Sequence, residues 1–179
     1  MKDKKIVWFS AFRHVVPADY ENWLEKMAAE GWQTGRFWQW SSIYLTFTKG
    51  EPKKYRFVYD PQVSPRKDYV TTYELFGWEY LGRMASAHFW RMEYSNKRPE
   101  AFSDTTSIVQ RNRRTISAVS VGFFIFIALE ILYAVLLTVF RDSLSASDRT
   151  QLIIAGAFFF ILTMTLGAVM LVLQKNEKR

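Results

Sequence analysis

Apolar side chains recur at spacings of three and four in "PADYENWLEKMAAE", placing Tyr20, Trp23, Leu24, Met27 and Ala28 on one helical face. The spacing returns in "SPRKDYVTTYELF" with Tyr69, Val70, Tyr73 and Phe76. Ser64 followed by Pro65 is a start signal for the second helix, an N-cap with proline at the first helical position, and Pro17 opens the first helix in a similar way. Each helical stretch follows a strand-like run. "KKIVWFSAF" precedes the first, and "KKYRFVYD" precedes the second, with Tyr55, Phe57 and Tyr59 alternating against Arg56 and Val58. Two more strand-like runs follow each helix, over residues 32–40 and 42–49, then 78–85 and 87–94. The predicted order is strand, helix, strand, strand, twice.

Gly-Trp closes both helices. Superposing Gly31-Trp32 on Gly77-Trp78 sets an offset of 46 residues, and the flanking patterns then agree in type. A glycine in the left-handed conformation commonly ends a helix, with an apolar neighbour packing back on the last turn, so Trp32 can reach Met27 and Trp78 can reach Tyr73. The fold class expected is α+β: a duplicated β-α-β-β unit, repeats about 4–49 and 53–94, forming antiparallel sheets with two helices within residues 1–96. One copy has too small a core to stand alone, so the two should pack together.

A different pattern begins beyond a polar and basic linker at 97–114. Residues 115–140 and 151–173 are apolar runs, each longer than the ~20 helical residues that span a bilayer core. They predict a two-helix transmembrane hairpin with a short external loop at 141–150 and a basic tail at 174–179. Arg111, Arg113 and Arg114 precede the first span, and Lys175, Lys178 and Arg179 follow the second, whereas the loop balances Arg141 and Arg149 against Asp142 and Asp148. Lysine and arginine near membrane ends are retained inside, so both termini are expected in the cytoplasm of a two-pass cell-membrane protein.

Composition sharpens this division. All seven Trp lie before Pro99, and the chain has no cysteine, which excludes disulfides, thiolate metal sites and cysteine nucleophiles. The net charge of +7 raises the question of nucleic acid, but no nucleic-acid motif accompanies it. The "RNRR" cluster beside the membrane accounts for part of the excess through attraction to anionic lipid headgroups. The short apolar start, interrupted by Arg13 and His14, reads as a first strand rather than a signal peptide.

Candidate chemistry is sparse. His14 and His88 fall in the first and last predicted strands without a third ligand at metal spacing, and neither a nucleophile elbow nor a Gly-rich phosphate loop is present. No catalytic residue, metal site or cofactor is assigned, and a non-enzymatic protein is expected. The aromatic strands are more informative, because two helices can cover only part of the sheet surface. Trp38, Trp40, Tyr44, Tyr55, Tyr59 and Trp90, with the carboxylates Glu79 and Glu93, are candidates to line a cleft for a small amphipathic cation. The alternative is a sheet face buried in a dimer or against the membrane surface, where Trp and Tyr are also favoured.

Within the first span Glu130 lies ten residues before Phe140, roughly 15 Å along the helix at ~1.5 Å per residue. A carboxylate at that depth costs about 2.5 kcal/mol or more on insertion scales. Thr163 and Gly167 on the second span form a small-xxx-small pair at comparable depth, and Glu130 is expected to bond Thr163 or a partner's helix and support assembly.

"YENWLEKMAAEGW", "FTKGEPKKYRFVYD", "KDYVTTYELFGWEYLG" and "FWRMEY", in that order, resemble the bacterial family known as domain of unknown function 2812, over about Ile6 to Tyr94. The resemblance implies a membrane-anchored protein with helices at its C-terminus, encoded beside PadR-type repressors and so linked to regulated envelope or drug responses; it supplies no catalytic residues. The layout is also similar to duplicated small-molecule-binding domains of the GyrI-like class. The expected function is that of a regulatory or sensory membrane protein whose cytoplasmic domain binds a protein partner or small amphipathic ligand. The alternative is an accessory subunit of a membrane transporter or other complex. Membrane lipids and a membrane protein, or a second copy of the chain, are the expected partners.

Overall fold

The computed structural model describes residues 3–101 and 105–177, which divide at Arg114 into a mixed α+β unit and an apolar helical unit. Phe102 to Asp104 of the expected linker, and Lys178 and Arg179 of the expected basic tail, lie outside the described residues.

In the first repeat, strand β1 (Lys4–Trp8) is followed by a single helical turn α1 (Ser10–Arg13), then helix α2 (Pro17–Ala29), β2 (Trp32–Thr34) and β3 (Tyr44–Lys49). The second repeat has β4 (Tyr55–Pro61), α3 (Tyr69–Leu75), β5 (Glu79–Met84) and β6 (Ala87–Glu93). The sheets are antiparallel with orders β1-β3-β2 and β4-β6-β5, so in each repeat the third strand lies between the other two. Beyond β2 the chain forms a parallel bridge from Phe37 to Gly82, and the Phe37 N–H donates to the Leu81 carbonyl at 2.7 Å. Gly82 has φ +112°, and a Cβ there would lie 2.3 Å from the Phe37 carbonyl oxygen, so only glycine admits this approach.

The main core joins both sheets to α2. Tyr20, Leu24, Met27 and Ala28 supply the helical face, against Leu45 and Phe47 of β3, Tyr55 and Phe57 of β4, and Phe89 of β6. Phe37 stacks on Phe89 with ring centres 3.8 Å apart. Alternate residues of the second sheet, Val58 and Trp90, point to its other face and pack with Trp78 under Tyr69, Val70 and Tyr73 of α3. The second sheet is therefore covered on both faces. Among the described residues the outer face of the first sheet has no such cover.

Both helix-ending glycines take the expected left-handed conformation, with φ +82° at Gly31 and +84° at Gly77. At the second, the Gly77 N–H bonds Glu74 O at 2.9 Å and the Trp78 N–H bonds Tyr73 O at 3.1 Å, the double closure of a Schellman motif. The two tryptophans nevertheless differ: Trp78 is buried, while Trp32 is half-buried beneath the ammonium groups of Lys49 and Lys5.

Several boundaries depart from the sequence expectation. Helix α3 begins at Tyr69, not at Ser64-Pro65, because residues before it turn through a Tyr69 N–H to Arg66 O bond. Phe76, expected on the apolar face, caps that helix and is 74% exposed. Strand β2 stops at Thr34 because the chain then leaves to reach Gly82, and Gln39–Ser42 form a 3-10 turn. His14 caps α1 outside any strand and stacks on Trp23.

Helix α4 (Thr105–Val139) starts ten residues before the expected span, within the segment assigned to a linker. The cause is Arg111, only 3% exposed, whose Nη1 meets Glu21 Oε1 at 2.8 Å. Glu21, 2% exposed on α2, also holds Arg56 at 3.0 Å and accepts the Tyr59 N–H at 2.9 Å. One turn on, Glu25 pairs with Arg56 at 3.0 Å and Arg98 at 2.9 Å and accepts the Phe57 N–H at 3.3 Å. Two helical carboxylates thus cap the open edge of β4 and hold the start of α4.

In the apolar unit, α4 continues to Val139 and α5 spans Ala146–Lys175; both are long and apolar enough to cross a membrane. They run antiparallel. Gly167 lies under Phe123 and Gly156 under Tyr133, where added Cβ atoms would come within 3.1 and 2.8 Å of the rings. The Tyr133 hydroxyl donates to the Leu152 carbonyl.

Truncating Glu21 to Ala removes one acceptor from each of two buried guanidiniums and from an edge N–H. Chemical denaturation of the full chain in detergent should show a loss of about 3–5 kcal/mol. Gly82→Ala should lower the thermal midpoint more than Gly77→Ala, which meets only an ordinary contact at 3.6 Å.

Candidate functional site

Pairing in the first sheet sets Lys4, Ile6 and Trp8 opposite Thr48, Thr46 and Tyr44 on the outer face, while Val7, Leu45 and Phe47 turn inward. Trp8 is 53% exposed and Ile6 similarly open. The Phe9 N–H bonds Ile43 O at 2.6 Å, and Phe9 takes a left-handed conformation with φ +54°, unusual for a bulky residue. Phe9 and Phe12 extend the patch, with Trp8–Phe9 and Phe9–Phe12 ring centres 6.4 and 6.2 Å apart. On the other side Tyr44 bridges Trp8 at 5.8 Å and Trp38 at 5.6 Å. Trp38 and Trp40, at the 3-10 turn, remain 47% and 54% exposed. The turn is held by the Trp38 N–H donating to Ser41 Oγ at 3.0 Å. This is a contiguous aromatic shelf on the α+β unit, the kind of surface that marks an interaction site.

The eight residues proposed from sequence do not converge. Trp38 and Tyr44 belong to the shelf, and Trp40 is exposed at the adjoining 3-10 turn. Tyr55 and Tyr59 pack in or against the main core, and Trp90 is fully buried in the second cluster, stacked on Tyr73 at 4.4 Å. Glu79 pairs with Arg91 at 2.7 Å and Glu93 with Lys53 at 2.9 Å. Glu79 and Arg91 line a polar hollow of about 390 Å³ with Arg36, Glu74 and Tyr80, away from the shelf. In the apolar unit the Thr163 hydroxyl donates to the Phe159 carbonyl at 3.0 Å, and Gly167 faces Phe123, so neither meets Glu130.

Sequence reasoning passed over Trp8, Phe9 and Phe12, read there simply as strand. Their signal was present in the alternation of "KKIVWF", which sets Ile6 and Trp8 on one face of the strand. It also passed over Asp60, buried under α3, whose Oδ2 accepts from Tyr69 at 2.8 Å and Tyr73 at 3.3 Å. Burial, reinforced by the adjacent Asp60 charge, raises the pKa of both tyrosines well above the usual phenol range, so they remain donors. Burial alone dominates at Tyr59, pushed up to about 12. Among the described residues no group of three or more His, Cys, Asp and Glu could hold a metal ion.

His88, paired across the strands with Asp60, has its pKa lowered chiefly by burial, and His14 shifts the same way. A folded-state value below the unfolded 6.5 means that protons favour unfolding, so this stability is present above pH 6.5 and lost as pH falls through it. The thermal midpoint, followed by Trp fluorescence, should drop between about pH 7.5 and 5.5, and drop less in His88→Gln.

No curated protein and no solved structure matches the chain. A family model described as protein of unknown function, DUF2812, matches residues 17–125. The match begins at the first residue of α2 and continues past Tyr94, where the likeness in sequence was drawn to a close, through the Arg111 helix start and into the first apolar span. Covering more than half of the 179 residues, it shows that the chain belongs to the DUF2812 family.

Proposed function

We propose that this is a non-catalytic, membrane-anchored regulatory or sensory protein that uses the aromatic shelf of its first sheet to bind a protein partner or small amphipathic ligand. The observation that carries the proposal is the shelf itself: Ile6, Trp8, Phe9, Phe12, Trp38 and Trp40 are all about half exposed in one region, although the same unit covers both faces of its second sheet. Aromatic side chains supply large contact area with little entropy to lose, which suits a binding surface. Two apolar helices provide the anchor, and the basic flanks at Arg111, Arg113, Arg114 and Lys175 support a cytoplasmic position for the shelf. The neighbouring PadR-type repressors implied by the family resemblance agree with a regulatory role.

An accessory-subunit role is the second reading, favoured by the exposed leucines and phenylalanines along α4 and α5, which leave room for docking within a larger membrane assembly.

Membrane pull-down with the full chain should recover a partner, or Trp emission should respond to an amphipathic ligand. The triple variant Trp8→Ser, Trp38→Ser, Trp40→Ser should weaken either by about tenfold or more while far-UV circular dichroism stays unchanged. A stoichiometric integral-membrane partner still captured by that variant would turn the assignment to the accessory subunit.

A further inference from the structure

Glu130 is the one acidic residue in either apolar run, and its surroundings leave it unanswered. Its Oε1 is buried with no hydrogen-bond partner among the described residues. The two hydroxyls that could have served it are committed elsewhere: Tyr133 donates to the Leu152 carbonyl, and Thr163 donates to Phe159 O. Glu130 instead lines a pocket of about 210 Å³ with Leu129, Leu132, Tyr133, Leu136 and Phe159. The leucines are about half exposed on the surface of the hairpin, so the pocket opens toward hydrocarbon.

A carboxyl oxygen buried without a partner in such a place calls for a positively charged neighbour. A hydrated inorganic ion does not suit the pocket, because hard cations require several oxygen ligands and one carboxylate is all that is offered. An organic cation with an apolar exterior suits it well. Tyr133 and Phe159 bring aromatic rings to the lining, whose π-systems attract a positive centre, and the leucines offer contact for its apolar groups.

We propose that the Glu130 pocket is a binding site for a small lipophilic monocation of the arylphosphonium or arylammonium class, its positive centre against the Glu130 carboxylate. The cation's charge is balanced by the carboxylate, so the occupied pocket leaves no net charge in the membrane. The site is separate from the aromatic shelf and stands or falls without it.

The test uses the full chain in phosphatidylcholine nanodiscs with radiolabelled tetraphenylphosphonium. Saturable binding is expected, displaced by unlabelled tetraphenylphosphonium but not by triphenylphosphine oxide, which carries similar aryl groups and no charge. Glu130→Gln should weaken binding by about tenfold or more at unchanged helix content, and Glu130→Asp should retain it better. Leu132→Trp, which fills the pocket and leaves the carboxyl, should also weaken it. The triple shelf variant should bind as the unaltered chain does. Equal binding by Glu130→Gln, displacement by triphenylphosphine oxide, or loss of self-association in parallel with loss of binding would each overturn the site, the last by showing that Glu130 joins copies of the chain.

Discussion

Glu21 meets three demands with two oxygens. Its Oε2 takes Arg56, and its Oε1 takes both Arg111 and the Tyr59 N–H. Buried ion pairs add little over well-packed apolar groups, because desolvation consumes most of the Coulombic gain, yet removing one member strands the others. Here the members lie on α2, on the edge of β4 and at the start of α4, so one carboxylate sets which helical face meets which strand. It also satisfies an edge that would otherwise present free N–H groups for pairing with another chain. Glu25 repeats the arrangement one turn later with Arg98.

That edge explains why the duplication yields unequal halves. In sequence the repeats match in element order, and their strand orders are the same. Helix α2, however, packs into the shared core, whereas α3 lies over the far face of its own sheet. Aromatic residues related by the 46-residue offset consequently have different surroundings, as Tyr44 on the outer face of the first sheet and its buried counterpart Trp90 do. Trp90 is sealed beneath Tyr73, and Trp8, Trp38 and Trp40 are left in the open. The cover given to one sheet is the cover missing from the other.

Much of this was legible along the chain. Apolar period marks α2, Gly-Trp marks both helix ends, alternation marks β4, and unbroken apolar length marks the two spans. These are local signals, since each depends on residues within a few positions of one another. The shelf was half legible, as Trp38, Trp40 and Tyr44 stand out by type, but nothing local separates them from Tyr55, Tyr59 and Trp90, which are equally aromatic and lie inside.

What the sequence by itself determined is therefore the set of elements, their order, their duplication and the presence of two apolar helices, all consequences of periodicity and of backbone preferences at particular glycines. Only the tertiary structure decided that Arg111 belongs to the α+β unit's interior, that Asp60 lies beneath two tyrosines, that one aromatic face is exposed, and that Glu130 Oε1 has no hydrogen-bond partner among the described residues. The reason is distance along the chain. Glu21 and Arg111 are 90 residues apart, and no spacing rule links a carboxylate to a guanidinium across that separation until folding places them 2.8 Å from one another.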